Sequence, residues 1–134
     1  MASLSGLTGF PTATAYSMTK AAAVTLSVSL RSEGAAFGVK VSVVCPGHVA
    51  TRISNQVIGG NASDEGKDVV RSDGRMRVEK AVNCLLAGVE KNSMVIVFPF
   101  KSRLKWWVNR LCPELLQLIG RRLARRFRKK KYSL

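Results

Sequence analysis

The spacing of apolar residues predicts one long helix near the start of the chain. Residues 15–33 contain no glycine or proline, and Ala23, Leu26 and Leu30 recur at intervals of three and four. This periodicity places the three side chains on one face of a helix, which Gly34 would end. Because the helix also carries three consecutive alanines, a sheet or a partner helix could approach it closely. The 15–33 helix is therefore a candidate contact for a homo-oligomer.

Two short β-branched runs predict buried strands on either side of a second helix. The run "VKVSVVC", residues 39–45, ends at Pro46 and Gly47, and "MVIVFP", residues 94–99, ends at its own proline. Between them, residues 76–91 return to helical periodicity. Because parallel strands need a crossover connection, which is usually a helix, this order favours a parallel sheet.

The segment between the first strand and the second helix is polar. Residues 58–75, "IGGNASDEGKDVVRSDGR", are rich in glycine and charged side chains. We expect an exposed loop here and treat it as a candidate lid that would shape a substrate pocket. Its sequence carries no recognisable code for a particular substrate.

The last third of the chain predicts two amphipathic helices. Leu104, Trp107, Val108 and Leu111 follow helical spacing, and Pro113 interrupts the pattern where a second helix can begin, since proline is tolerated in a first turn. The second helix has one apolar and one basic stripe. The apolar stripe consists of Leu115, Ile119, Leu123 and Phe127, and the basic stripe of Arg122, Arg125, Arg126 and Lys129.

The net charge of +14 is concentrated in this tail. Residues 101–131 hold twelve Lys or Arg and one Glu, which is +11 and leaves +3 for the rest of the chain. Residues 100–131 could bind an anionic membrane surface, with Trp106 and Trp107 as interfacial anchors. They could equally be a solvated, partly disordered end whose first helix packs on the body. Nucleic-acid binding is disfavoured, because no reading motif is present and phosphate contacts need no apolar stripe.

Cysteine usage and the start of the chain indicate a reducing compartment. Cys45, Cys84 and Cys112 are far apart and form no C-x-x-C pair, which argues against a disulfide framework and against a metal site. The first residues show no basic region followed by an apolar run, and no run of about eighteen apolar residues occurs anywhere. We expect a cytoplasmic protein, with peripheral attachment to a membrane as the alternative that the tail leaves open.

The stretch "YSMTK" places Tyr16 and Lys20 four residues apart at the head of the first predicted helix. Residues at this spacing share one face of a helix, so the lysine ammonium could lie close to the tyrosine oxygen. A neighbouring positive charge favours the phenolate, which is what a tyrosine needs to exchange a proton near neutral pH. The pair alone is a weak signal, because a partly buried tyrosine beside a solvated lysine has the same spacing.

A longer pattern surrounds this pair. Its positions are Ser3, Gly6, Pro11, Tyr16 and Lys20, and "PGHVAT" follows the next predicted strand at residues 46–51. The arrangement strongly resembles the C-terminal half of the short-chain dehydrogenase/reductase family, nicotinamide-dependent oxidoreductases with a Rossmann-type sheet. The resemblance is nearly continuous over residues 3–51, looser as far as residue 99, and does not include the tail. It implies an α/β fold: the C-terminal part of a doubly wound parallel sheet, truncated, followed by amphipathic helices.

The resemblance also implies a role for each matching residue. Tyr16 matches the acid/base that gives a proton to a carbonyl oxygen, Ser3 matches the hydroxyl that holds this oxygen, and Lys20 matches the cation that assists the tyrosine and binds the nicotinamide ribose. Cofactor contacts are implied for Lys20 and for the turn residues Pro46, Gly47, Val49 and Thr51. The cofactor is NAD or NADP, which the sequence does not distinguish, and the substrate is a small carbonyl compound or alcohol.

Other readings of individual residues follow from the sequence alone. His48, the only histidine, has no recognisable partner and is expected to face solvent. Cys45 is expected to be a small buried hydrophobe rather than a nucleophile. Thr51 could cap a helix, and Ser3 would be a frayed terminus if its spacing to Tyr16 were disregarded.

The nucleotide-binding part of the family pattern is missing. No G-x-G-x-x-G or comparable cluster follows a predicted strand, and Gly59 and Gly60 lie in the polar loop. The family's relay asparagine is absent too. We therefore expect a fragment that is inactive alone, with residues 1–99 as the C-terminal half of a catalytic domain and residues 100–134 as a basic helical tail. The alternative function is a non-enzymatic membrane-surface or interaction module.

Overall fold

The computed structural model of the chain describes residues 1–11, 13–51 and 75–132, with side chains as far as residue 125. Within these ranges the elements follow in the order α1 (Ser5–Thr8), α2 (Thr14–Gly34), β1 (Val43–Pro46), α3 (Val78–Glu90), β2 (Val95–Phe98), α4 (Phe100–Leu111) and α5 (Pro113–Tyr132). A 3₁₀ turn at Ala35–Phe37 extends α2. The predicted loop at 58–75 lies outside the described residues except for Arg75.

The two strands are parallel, as the sequence predicts, and α3 lies between them in the chain. Val43 pairs with Val95 and Pro46 pairs with Phe98. The arrangement confirms an α/β class and a partial Rossmann-like fold. The first strand is shorter than the predicted 39–45, because backbone groups before Val43 are used elsewhere. The N–H of Val39 donates to Gly34 O at 2.9 Å, which turns the chain back from the end of α2.

The first residues lie along the other edge of β1. The N–H of Ala2 donates to Val44 O at 2.8 Å, and the N–H of Leu4 donates to Pro46 O at 2.9 Å. Donors and acceptors both advance by two residues in the same direction, so this segment runs parallel to β1. Pro46 has no N–H with which to return a hydrogen bond, so a regular ladder cannot form there. The segment around Ser3 is thus an ordered part of the sheet and is not frayed.

Helices cover both faces of this small sheet. On one face, the buried side chains of Val43, Cys45 and Val97 pack with Ala2 and with residues of α1, α2 and α4. On the other face, Val44, Ile96 and Phe98 pack with Ala81 of α3. The division follows from the alternation of side chains along a strand, which sends successive residues to opposite faces.

Arg31, near the end of α2, fastens that helix to two loops. Its guanidinium donates hydrogen bonds to Val41 O and to both the side-chain and backbone oxygens of Asn92, the latter two at 3.0 Å. Asn92 has a φ of +51°, in the left-handed region that asparagine tolerates better than most residues. This contact fixes α2 against the ends of the sheet at which the strands begin.

The two C-terminal helices form as predicted, with Pro113 at the first position of α5. α4 packs on the sheet through Trp106. α5 returns to the body, since a Cβ added to Gly120 would lie 3.4 Å from Pro11 Cγ. None of the described helices combines the length and the hydropathy that a membrane span requires.

Candidate active site

The candidate site lies at the edge of the sheet where the strands end. β1 ends at Pro46 and β2 at Phe98, and these two residues are paired. The hydrogen bond from Leu4 to Pro46 brings the first segment to the same edge, with Ser3 directly before it. Ligands of open parallel α/β sheets bind outside the carboxyl ends of the strands.

Ser3 lies two residues before the first residue of the short helix α1 and keeps a hydrogen to donate. Its Oγ accepts a hydrogen bond from the Ser5 N–H at 3.2 Å, and its carbonyl accepts one from the Gly6 N–H at 3.0 Å. The bond to Ser5 uses the hydroxyl oxygen as an acceptor, which leaves the hydroxyl proton for another partner. The side chain is only partly buried. Ser3 can therefore stabilise the turn that leads into α1 and still donate a hydrogen bond to a ligand.

Gly6 brings α1 into contact with the backbone of α2 at Lys20. A Cβ at this position would lie 2.6 Å from the carbonyl carbon and oxygen of Lys20 and 2.9 Å from the nitrogen of Ala21. Real Cβ atoms do not approach backbone this closely, so the contact requires glycine. Since Ser3 is hydrogen-bonded to Gly6, this one glycine connects Ser3 with Lys20.

Tyr16 and Lys20 share one face of α2, as their spacing predicts. The Lys20 Nζ lies 5.5 Å from the centroid of the Tyr16 ring, within the range of about 6 Å for a cation–π contact. The tyrosine side chain is 49% exposed. Neither the phenol nor the ammonium has a hydrogen bond or salt bridge to another side chain within the described ranges. Both polar groups are thus open to a ligand.

The turn after β1 is held firmly on two sides. The N–H of Gly47 donates to Phe98 O at 2.8 Å, and a Cβ on Gly47 would overlap the buried hydroxyl of Ser102. Val49 packs against the cluster on the α3 face and forms a parallel bridge with Met76. The turn is therefore a fixed wall of the candidate site.

The two remaining candidate residues, Pro46 and Thr51, lie at the two ends of this turn. The carbonyl of Pro46 accepts the hydrogen bond from Leu4 that joins the turn to the first segment, and Thr51 lies exposed at the end of the turn. Whether any of the turn residues binds a cofactor stays a prediction.

Cys45 is buried and His48 faces solvent, as the sequence predicts for both residues. Cys45 is fully buried, and this burial raises the pKa of its thiol to about 11, against weaker lowering by the N-terminal amino group and by a hydrogen bond to the Ser3 backbone. The thiol is protonated at neutral pH and acts as a small hydrophobe. His48 is exposed, as predicted, while partial burial of its ring and then the charges of Lys105 and Arg75 lower its pKa.

Sequence reasoning missed two residues of α4 that support the site. Ser102 is buried directly beneath Gly47, and Asn109 donates from Nδ2 to Leu7 O at 3.2 Å, which ties α4 to α1. A signal was available: Ser102, Trp106 and Asn109 have helical spacing of their own, on the side opposite the apolar stripe used for the prediction.

Comparison with known proteins finds similar sequences among short-chain dehydrogenases. Residues 1–61 match the family model "short chain dehydrogenase". A relative from Drosophila melanogaster, "Dehydrogenase/reductase SDR family protein 7-like", is 30% identical over 116 residues, which cover 86% of this chain and 36% of the relative. "Dehydrogenase/reductase SDR family member 7B" from Bos taurus is 30% identical over 135 aligned positions, which cover 99% of this chain and 41% of the relative.

A solved structure shares the fold. The short-chain dehydrogenase from Sphingobium yanoikuyae in complex with NADPH superposes with a TM-score of 0.56 at 25% identity, over 78% of this chain and 38% of that chain. The family model, these relatives and this solved structure together support membership of the short-chain dehydrogenase/reductase family. It spans about two-fifths of the length of the curated relatives named here.

The match with the bovine relative changes the interpretation of the tail. Because the alignment covers 99% of this chain, it includes both C-terminal helices. The family model ends at residue 61, whereas the alignment with this relative continues through the tail. The division into residues 1–99 and a separate tail stays a prediction.

Proposed function

We propose that this chain supplies the catalytic residues of a nicotinamide-dependent oxidoreductase that acts on a carbonyl compound or alcohol. Membership of the family supports the class of reaction. The observation that carries the proposal is the placement of Lys20 Nζ 5.5 Å from the Tyr16 ring, on a helix whose backbone at Lys20 is in contact with Gly6. Gly6 in turn is hydrogen-bonded to Ser3.

In this proposal Ser3, Tyr16 and Lys20 all act at the carbonyl or alcohol oxygen of the substrate. A bound nicotinamide supplies hydride in reduction and accepts it in oxidation. Tyr16 donates its phenolic proton to the carbonyl oxygen as negative charge develops there, and Ser3 donates a hydrogen bond to the same oxygen. The ammonium of Lys20 stabilises the phenolate that Tyr16 becomes. In oxidation the phenolate takes the proton back from the alcohol.

The described residues fit one end of a nicotinamide nucleotide. The Lys20 ammonium can donate to ribose hydroxyls, and the fixed turn at Pro46–Thr51 offers a rigid surface beside it. No glycine-rich turn joins a strand to a helix in the described part of the chain, so these residues provide no pyrophosphate site of that kind. We therefore propose that the chain holds the nicotinamide end of NAD or NADP and needs another nucleotide-binding half for activity.

Substitution of Tyr16 and Lys20 tests the catalytic roles in a protein that carries this sequence together with a complete nucleotide-binding half. Tyr16→Phe removes the phenolic hydroxyl that carries the transferable proton and keeps the ring, so kcat should fall by about 10²–10⁴-fold while the circular dichroism spectrum stays unchanged. Lys20→Ala should both lower kcat and raise the KM for the cofactor. Lys40→Ala, at an exposed position outside the site, is the matched control and should do neither. Retention of most activity by Tyr16→Phe would refute the assignment.

A further inference from the structure

The inner face of α4 is the face that packs on the protein body. Ser102 is 5% exposed, Trp106 packs against the core cluster of β1 and β2, and Asn109 is hydrogen-bonded to α1. These three residues are separated by four and three positions, so they lie on one side of the helix. The contacts between this face and the protein body are thus made by two polar residues and one tryptophan.

The outer face of α4, on the opposite side, is apolar and exposed. It consists of Phe100, Leu104, Trp107 and Leu111, which are 75%, 55%, 49% and 78% exposed. Leu115, Leu118 and Ile119 in the first turns of α5 are also exposed. An amphipathic helix of a globular protein normally turns its apolar stripe toward the core. α4 does the reverse, which leaves the apolar residues of its outer face exposed.

Basic side chains line both borders of this outer face. Arg103 and Arg110, seven positions apart, lie on one side of it, and Lys101 and Lys105, four positions apart, lie on the other. All four are exposed, and α4 contains no acidic residue. The surface thus combines an apolar centre with a positive rim.

We propose that the outer face of α4 docks on an anionic lipid bilayer. The apolar side chains would enter the boundary between headgroups and acyl chains, and the lysines and arginines would extend to the headgroups. A second copy of the chain would place one positive rim beside another, and a nucleic acid would leave the apolar centre exposed. The proposal is independent of the oxidoreductase activity, because none of these residues belongs to the candidate active site.

The two tryptophans allow the orientation of α4 to be measured, since they lie on different sides of the helix and no others occur in the chain. In Trp106→Phe, the remaining Trp107 should show a blue-shifted emission on vesicles of phosphatidylcholine and phosphatidylserine, and brominated lipid should quench it. In Trp107→Phe, the remaining Trp106 serves as the matched control and should respond little. Equal quenching of the two variants, or none of either, would overturn the proposal.

Co-sedimentation of the full chain with the same vesicles measures the two contributions to binding. Leu104→Ser with Leu111→Ser should weaken binding by at least about tenfold, whereas Phe37→Ser, which changes an 84% exposed phenylalanine elsewhere, should leave it unchanged. Arg103→Gln with Arg110→Gln should weaken binding by about 20–30-fold, because each basic residue near an anionic surface contributes about fivefold. Added salt should reduce binding without abolishing it.

Three results would contradict this assignment. One is equal binding to neutral phosphatidylcholine vesicles, and another is wild-type binding by the leucine double variant. The third is a concentration-dependent dimer of the wild-type chain in analytical ultracentrifugation that the leucine double variant loses, since a second copy would then cover this face.

Discussion

Two glycines hold positions in the candidate site where a Cβ would clash with neighbouring atoms. Gly6 allows α1 to touch the backbone of α2 at Lys20, and Gly47 allows Ser102 to lie beneath the turn after β1. In the sequence, both glycines are only markers of a spaced pattern. The structure gives the physical reason, which is the lack of space for a Cβ at either position.

The environment of Cys45 predicts how slowly it will react. Its thiol is fully buried and has a pKa of about 11, whereas Cys112 is exposed. At pH 8, the small thiolate fraction alone should make alkylation of Cys45 about a hundredfold slower than that of an ordinary cysteine, and burial should slow it further. Iodoacetamide labelling followed by peptide mass spectrometry measures both rates.

Denaturant provides the control for this labelling experiment. Unfolding removes the burial of Cys45, so Cys45, Cys84 and Cys112 should then react at similar rates. Comparable rates for Cys45 and Cys112 in the native chain would contradict the buried environment of β1.

At the scale of elements, local patterns predicted the helix α2, which depends on neighbouring residues. They missed the length of β1 and the contacts of Arg31, which depend on residues distant in the chain. Residues 15–33 form α2 almost as predicted, because glycine-free helical periodicity is a local property. The strand predicted at residues 39–45 lost its first half because the end of α2 and Arg31 engage those backbone groups. The hydrogen bonds between Arg31 and Asn92 join residues sixty-one positions apart, and no spacing rule reveals them. The use of α2 as a homo-oligomer contact stays a prediction.

The contact between α1 and α2 can be tested with a pair of helical glycines. Gly6→Ala should destabilise the chain by about 1–3 kcal/mol, because the added methyl group meets backbone atoms of Lys20, which cannot move aside as a side chain could. Gly120→Ala is the matched control. Its Cβ would make an ordinary 3.4 Å contact with Pro11, and alanine favours a helix by up to about 1 kcal/mol relative to glycine.

Urea unfolding followed by circular dichroism gives both changes in stability. The expected order of stability is Gly120→Ala, then the unchanged chain, then Gly6→Ala. Equal stability of Gly6→Ala and the unchanged chain would show that α1 does not need its close approach to Lys20.

At the scale of the whole molecule, the chain presents the candidate site at the edge of a very small sheet. The sheet consists of two parallel strands, and the segment Ala2–Leu4 is hydrogen-bonded along the edge of β1. Helices lie on both faces of the sheet. The parallel order was predictable, because helix–strand alternation can be recognised in the sequence, whereas the catalytic roles of Ser3, Tyr16 and Lys20 stay a prediction. The outward orientation of the apolar stripe of α4 was not predictable, because it follows from the inner contacts of Ser102, Trp106 and Asn109.

Cofactor binding by the isolated chain tests whether the chain holds only the nicotinamide end of the cofactor site. The 134-residue chain should neither bind NADH or NADPH tightly nor reduce a carbonyl substrate, because most affinity for a dinucleotide comes from a pyrophosphate site that its described residues do not form. Titration of cofactor fluorescence against the purified chain measures this. Saturable binding in the micromolar range would refute the prediction.

The inner face of α4 also has a mechanical consequence. Ser102 touches the turn after β1, and Asn109, two helical turns further along, is hydrogen-bonded to α1, which carries Gly6. These contacts lie on different walls of the candidate site. A rigid-body displacement of α4 would therefore move both contacts together. In this way α4 couples the outer surface of the protein to the residues around Tyr16.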